Sequence, residues 1–126
     1  MAGFYPITIR KGATFVRTIG WFDDNDAAVA LTGYRAALEV RPYAGHVGTP
    51  YVQAQTNPKP GGAAGDGRIT VASDGYTLTI NLPSSYTSGL AAWTTAVWDL
   101  KLEDPATGVI YVLLEGPAFF EPSVTV

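Results

Sequence analysis

Ala96-Val97-Trp98-Asp99-Leu100-Lys101-Leu102-Glu103 decides the fold. Ala96, Trp98, Leu100 and Leu102 fall on one side of this stretch, and Val97, Asp99, Lys101 and Glu103 on the other. A strand sends successive side chains to opposite faces, whereas a helix would scatter this pattern around its axis. Thr95–Glu103 therefore reads as a half-buried strand with Trp98 inward. Asp104-Pro105-Ala106-Thr107-Gly108 then turns the chain into a second strand, Val109–Glu115. Gly116-Pro117 reads as a break, and Ala118–Val126 as one more strand, so the sequence predicts a C-terminal end held in sheet.

The same period extends towards the N-terminus. Ile7 and Ile9 alternate with Thr8 and Arg10, and Lys11-Gly12 leads into Thr14–Phe22. There Phe15, Ile19 and Trp21 share a face with Arg17, whose aliphatic stem suits apolar neighbours. Asp23-Asp24-Asn25-Asp26 is a turn signal, since these side chains bond their own backbone and tolerate left-handed conformations. After Leu31-Thr32-Gly33, Ala36, Leu38 and Val40 point one way and Arg35, Ala37, Glu39 and Arg41 the other, up to Pro42. Tyr51–Gln55 fits a short strand. Asn57–Gly67 is rich in Pro and Gly and reads as a surface loop. Arg68–Ala72 and Tyr76–Leu82 flank the hairpin signal Ser73-Asp74-Gly75. Pro83–Trp93 is the one candidate helix, with capping groups in Pro83-Ser84-Ser85-Tyr86 and an early end at Gly89. The expectation is an all-β domain spanning residues 1–126, an antiparallel immunoglobulin-like β-sandwich of about eight or nine strands with at most one short helix. Its predicted core includes Leu38, Val40, Ile69, Leu78, Ile80, Trp98, Leu100 and Leu102.

Hydrophobic residues make up 47% of the 126 residues and charged ones 15%, against about 25% charged in average soluble proteins. That deficit leaves Thr, Ser, Gly, Ala and aromatic groups on the surface, which suits contact with other protein surfaces. The net charge of −3 comes from 8 basic and 11 acidic side chains spread thinly. Without a Lys/Arg cluster, direct nucleic-acid binding is not expected. Cysteine is absent, which excludes disulfides and thiolate metal sites. The start, Met1-Ala2-Gly3-Phe4-Tyr5-Pro6, lacks the basic and apolar runs of a signal peptide. No apolar stretch approaches the roughly 20 residues that span a bilayer. Membrane insertion is thus not expected, and the chain reads as made and kept on the cytoplasmic side unless it leaves within an assembly.

Candidate chemistry is thin. His46 stands alone in Tyr43-Ala44-Gly45-His46-Val47-Gly48, without the second ligand or nucleophile that a zinc site or a Ser-His pair requires, and reads as a solvated loop residue. Asp23, Asp24 and Asp26 lack the Gly and bidentate Glu of a calcium loop. Gly61–Gly67 lacks the Gly-Lys-Ser/Thr ending of a phosphate loop and precedes a strand. Asp99, Glu103, Glu115 and Glu121 offer carboxylates for glycosidase-type pairing, but alternate outward charges already keep a sheet soluble. No enzyme activity, cofactor or metal is expected. Among the rings, Phe15, Trp21 and Trp98 fall on inward phases. Phe4, Tyr5, Tyr43, Tyr51 and Trp93 lie at strand ends or in loops. Phe4, Tyr5, Trp93, Phe119 and Phe120 are the candidate partner-interface residues, because aromatic groups dominate interface energetics.

Three pieces of sequence, in order, carry a resemblance. They are Tyr5-Pro6-Ile7-Thr8-Ile9-Arg10-Lys11-Gly12-Ala13-Thr14-Phe15, then Ala30-Leu31-Thr32-Gly33-Tyr34, then Trp98-Asp99-Leu100 with Leu113-Leu114-Glu115-Gly116 and Pro122-Ser123-Val124-Thr125. This order resembles the small immunoglobulin-like structural proteins of tailed bacteriophages. It is similar to the N-terminal domain of upper baseplate proteins and to short tail or neck module proteins. The resemblance implies a non-enzymatic virion component, an adaptor or decoration in the tail, baseplate or neck. Its implied partners are other virion proteins, copies of itself and a receptor-binding or fibre protein, in a virion assembled in the host cytoplasm. The chain departs from the baseplate pattern in having no coiled-coil or receptor-binding continuation within its 126 residues. A capsid decoration protein and a carbohydrate-binding β-sandwich module are the alternatives; the latter would need a flat row of exposed rings.

Overall fold

The computed structural model describes residues 3–22, 25–56 and 67–122. It is all-β, with strands β1 (Gly3–Phe4), β2 (Ile7–Arg10), β3 (Phe15–Gly20), β4 (Arg35–Arg41) and β5 (Val52–Gln55). β6 (Gly67–Val71), β7 (Thr77–Leu82), a one-turn helix α1 (Ser84–Thr87), β8 (Val97–Glu103) and β9 (Ile110–Glu121) follow. The hydrogen-bonded path runs β1-β9-β8-β4-β5-β6-β7-β3, and β2 also pairs with β9.

Alternation predicted the buried faces well. Ala36, Leu38 and Val40 on β4, Leu78, Ile80 and Leu82 on β7, and Trp98, Leu100 and Leu102 on β8 are all buried, as is Ile69 on β6. With Ile7, Ile9, Phe15, Leu31, Val52 and Ala118 they form one apolar cluster, against which Trp21 packs half-buried. The Ser73-Asp74-Gly75 hairpin is present: β6 and β7 pair antiparallel from Arg68–Asn81 to Val71–Leu78. Gly75 there has a φ of +78°, a conformation in which a side chain is strained.

Three expectations are corrected. The sheet is mixed rather than antiparallel throughout, because β1 and β2 both run parallel to β9, and β5 runs parallel to β6. Alternation fixes which face of a strand is buried; it carries no information on a neighbour's direction. Second, Gly116-Pro117 does not break the C-terminal stretch, which is one strand, β9, over Ile110–Glu121. The pair instead marks where β9 changes parallel partner, from β1 at Leu114 and Glu115 to β2 at Ala118–Glu121. Pro117 lies opposite Val97, and Ala118 restores the bonding by donating its N–H to the Ala96 carbonyl at 3.0 Å. Gly116 is required because a Cβ there would overlap the backbone carbonyl of Tyr5. Third, the helix covers only Ser84–Thr87, and Pro83 at its N-cap makes no side-chain capping bond. Its anchor is Thr87, fully buried, whose hydroxyl donates to the Ala13 carbonyl at 2.9 Å. The predicted Asn57–Gly67 loop and the Asp23-Asp24 part of the acidic turn lie outside the described residues, Gly67 excepted. Asp26, within that turn, does adopt a left-handed φ of 60°.

Candidate functional site

The outer face of β1, β9, β8 and β4 gathers a set of charged side chains. Register places Glu39 of β4 beside Asp99 of β8, and Asp99 beside Glu115 of β9. Phe4 of β1 stands next to Glu115 in the same row. Three carboxylates and an aromatic ring thus share one line across four strands, with cross-strand neighbours about 5 Å apart. The neighbouring rows supply cations. Arg41 Nη2 meets Glu39 Oε2 at 2.8 Å, and Lys101 Nζ meets Asp99 Oδ2 at 3.7 Å.

These groups line a broad groove of about 750 Å³, bounded also by Tyr43, His46, Val97 and Pro117. Its wall at the end of β4 is held by Arg41. Arg41 Nη1 donates to the Gly48 carbonyl at 2.7 Å and to the His46 carbonyl at 3.2 Å, and lies 3.4 Å from His46 Nδ1. Tyr43 meets the His46 ring edge-on, with centroids 5.3 Å apart. His46 is in the loop the sequence placed it in, half-buried and held against Arg41.

Burial pushes the Asp99 carboxyl above the ordinary aspartate value; Lys101 opposes the shift, while Glu39 and Glu115 add to it. Burial strips water from the carboxylate, and the two neighbouring carboxylates repel its charge, which Lys101 only partly offsets. Among the described residues, no group of three or more His, Asp or Glu side chains is placed to hold a metal ion.

The five predicted interface aromatics separate into two sets. Phe4 is 76% exposed, Phe119 51% and Tyr5 50%. Alternation along β9 sets Glu115, Pro117 and Phe119 on the outer side, so Phe4 and Phe119 extend the same face. Trp93 and Phe120 lie inward instead. Trp93 is 7% exposed, donates Nε1–H to the Ala118 carbonyl at 3.0 Å, stacks on Tyr51 at 5.3 Å, and touches Phe120 at 5.0 Å. The four residues together fasten the segment before β8 to the end of β9.

Of the four carboxylates singled out in the sequence, Asp99 and Glu115 are neighbours, Glu103 lies opposite Ile110, and Glu121 pairs with Arg10 at 3.4 Å on the surface. Glu39 completes the row and was missed. Its outward phase was visible, but only strand order and register could set it beside Asp99. No helix among the described residues is long and apolar enough to cross a membrane. Compared with protein-family models and with curated proteins, the chain shows no match.

Proposed function

We propose that this chain is a non-enzymatic docking module of a tailed-phage virion, an adaptor or decoration of the tail, baseplate or neck that holds other virion proteins. The observation that carries the reading is the exposure of Phe4, Tyr5 and Phe119 along the ribbon where the first strands meet the last. Large rings held open on rigid strands are costly to leave in water and are typical anchors of protein interfaces. The sequence resemblance to small phage structural proteins supplies the assembly, and the low charge fraction agrees with a surface made for contact.

The finer fold assigned with this reading is an immunoglobulin-like β-sandwich. In it, β9, β8, β4 and β5 form one layer and β6, β7 and β3 the other. Support comes from the shared apolar cluster of both strand sets and from the parallel placement of the leading strands on the final one.

The test is composition and structure of the particle. Mass spectrometry of purified virions from the phage that encodes this sequence should find the chain in multiple copies, and a map of the particle should seat Phe4 and Phe119 in a contact. Phe4→Ala with Phe119→Ala should reduce its incorporation while changing stability by no more than about 0.5 kcal/mol per site, as for other exposed positions. Particles that lack the chain would overturn the proposal.

A further inference from the structure

We infer that the edge of β9 at Ile110–Leu113, unpaired among the described residues, is where two copies of this chain pair, antiparallel about a two-fold axis. β8 bonds one side of β9, whereas β1 reaches its other side only at Leu114 and Glu115. Among the described residues no strand covers that side of Ile110–Leu113. An open row of N–H and C=O groups is a template for another strand, and monomeric sheets blunt such edges with Lys, Pro, inward charge or a bulge. Val109-Ile110-Tyr111-Val112-Leu113-Leu114 carries no Lys, Pro or charge, and its one bulge, at Leu113, lies beyond the Ile110–Val112 stretch. Of the other edges, β3 has Arg17 at its middle, β2 ends in Arg10, and β1 is only two residues long.

The occupant follows from the register. Centring the pair on Tyr111 sets Ile110 opposite the partner's Val112, so outward residues meet outward residues and no charged side chain faces its own copy. Behind Ile110 on β8 stands Glu103, and behind Val112 stands Lys101. Each row across the junction would then run Glu103, Ile110, the partner's Val112, the partner's Lys101, with opposite charges at its ends. The surface is also apolar enough to bury: Ile110 is 57% and Val112 38% exposed, and Val109 next to Ile110 in sequence is exposed too. Tyr111 faces the other way, 5.4 Å from Trp21 and 6.4 Å from Tyr34. There a groove of about 600 Å³ between β9 and Ile19–Phe22 leaves room for the partner's ring.

This inference rests on the reading of the chain as a multi-copy assembly component, and its test is independent of the particle. Analytical ultracentrifugation of the full chain over a range of concentrations should show a monomer–dimer equilibrium. Val112→Glu should weaken it by about tenfold or more, since a carboxylate would be buried against the partner's Ile110. Within its own chain that Glu lies beside Lys101, so thermal melts should show the variant folded. Ile110→Lys, beside Glu103, should act likewise, and the I110K/V112E double variant should recover the dimer through two ion pairs between copies. A monomer at every concentration, a dimer indifferent to V112E, or a double variant no tighter than the singles would overturn the pairing. Monomers recovered from virions would sink only this inference; dimers absent from virions would sink only the virion proposal.

Discussion

Gly116 of β9 and Asp99 of the neighbouring β8 are constrained by different physics. At Gly116 the constraint is space. The backbone of Tyr5 passes where a side chain would be, and that same backbone is fixed from two directions. Tyr5 donates its N–H to the Glu115 carbonyl at 2.8 Å, and its own carbonyl accepts the Trp98 Nε1–H at 2.7 Å. Gly116→Ala must therefore push apart β1 and β9 or break the Trp98 bond, at a cost of about 1–3 kcal/mol or more by analogy with overpacked cores. Urea unfolding should report the loss; a variant as stable as the parent would show that the ribbon yields freely. At Asp99 the constraint is charge. Its folded pKa is raised, by burial first, so the folded chain holds this proton to higher pH than the unfolded chain does. Stability from this group is fully present below the unfolded pKa and falls as pH rises through the folded one. Asp99→Asn, which keeps the shape and drops the charge, should gain on the parent between about pH 3 and about pH 7. Denaturant titrations at both values test this. A gap that is constant, or that shifts in favour of aspartate at neutral pH, would contradict the burial argument.

At the scale of elements, what the sequence revealed and what it concealed divide along one line. Period-two alternation is local, and it located β2, β4, β6, β7 and β8 with their buried faces, because each of these strands has one side in the core and one outside; it also located β3, where Phe15 is buried but Arg17, on the same predicted face, is exposed. The hairpin at Ser73-Asp74-Gly75 was equally legible, since turn chemistry is local too. Partner choice is not local. Nothing in Ile7-Thr8-Ile9-Arg10 specifies that it lies parallel to Ala118–Glu121, and nothing in Gln55 specifies a parallel neighbour in Arg68. The Gly116-Pro117 pair misled for a related reason. Both residues are unfavourable inside an ordinary central strand, yet here they sit where one neighbour ends and the next begins, so little pairing is lost. Trp93 shows the same limit on the site. Its position before a strand suggested a surface ring, but Tyr51, Phe120 and the Ala118 carbonyl, all distant in sequence, enclose it. The bulge that leaves Leu113 without an opposite residue between the Leu100–Leu114 and Lys101–Val112 pairs likewise had no signal in composition.

For the whole molecule, β9 is the organiser. It borders β8 along most of its length and receives β1 and β2 on its other side, so the described chain closes by bringing its first strands to its last. Such pairing spans the length of the domain, Ile7 with Ala118 and Gly3 with Leu114. The entropy of closing that loop is lost before the contacts reward it, and proteins dominated by distant strand pairs fold on the order of milliseconds to seconds. Two tryptophans report this closure directly. Trp98 bonds the Tyr5 carbonyl and Trp93 the Ala118 carbonyl, so both rings reach their native surroundings only when the ribbon is in place. Stopped-flow refolding should show the main recovery of tryptophan fluorescence in that millisecond-to-second range. Gly116→Ala should slow this recovery if the ribbon forms in the transition state, and should chiefly speed unfolding if it forms later. Recovery complete within the mixing time would mean that local contacts, not the pairing of β9 with β1 and β2, control folding, and the organising role given to β9 would fail.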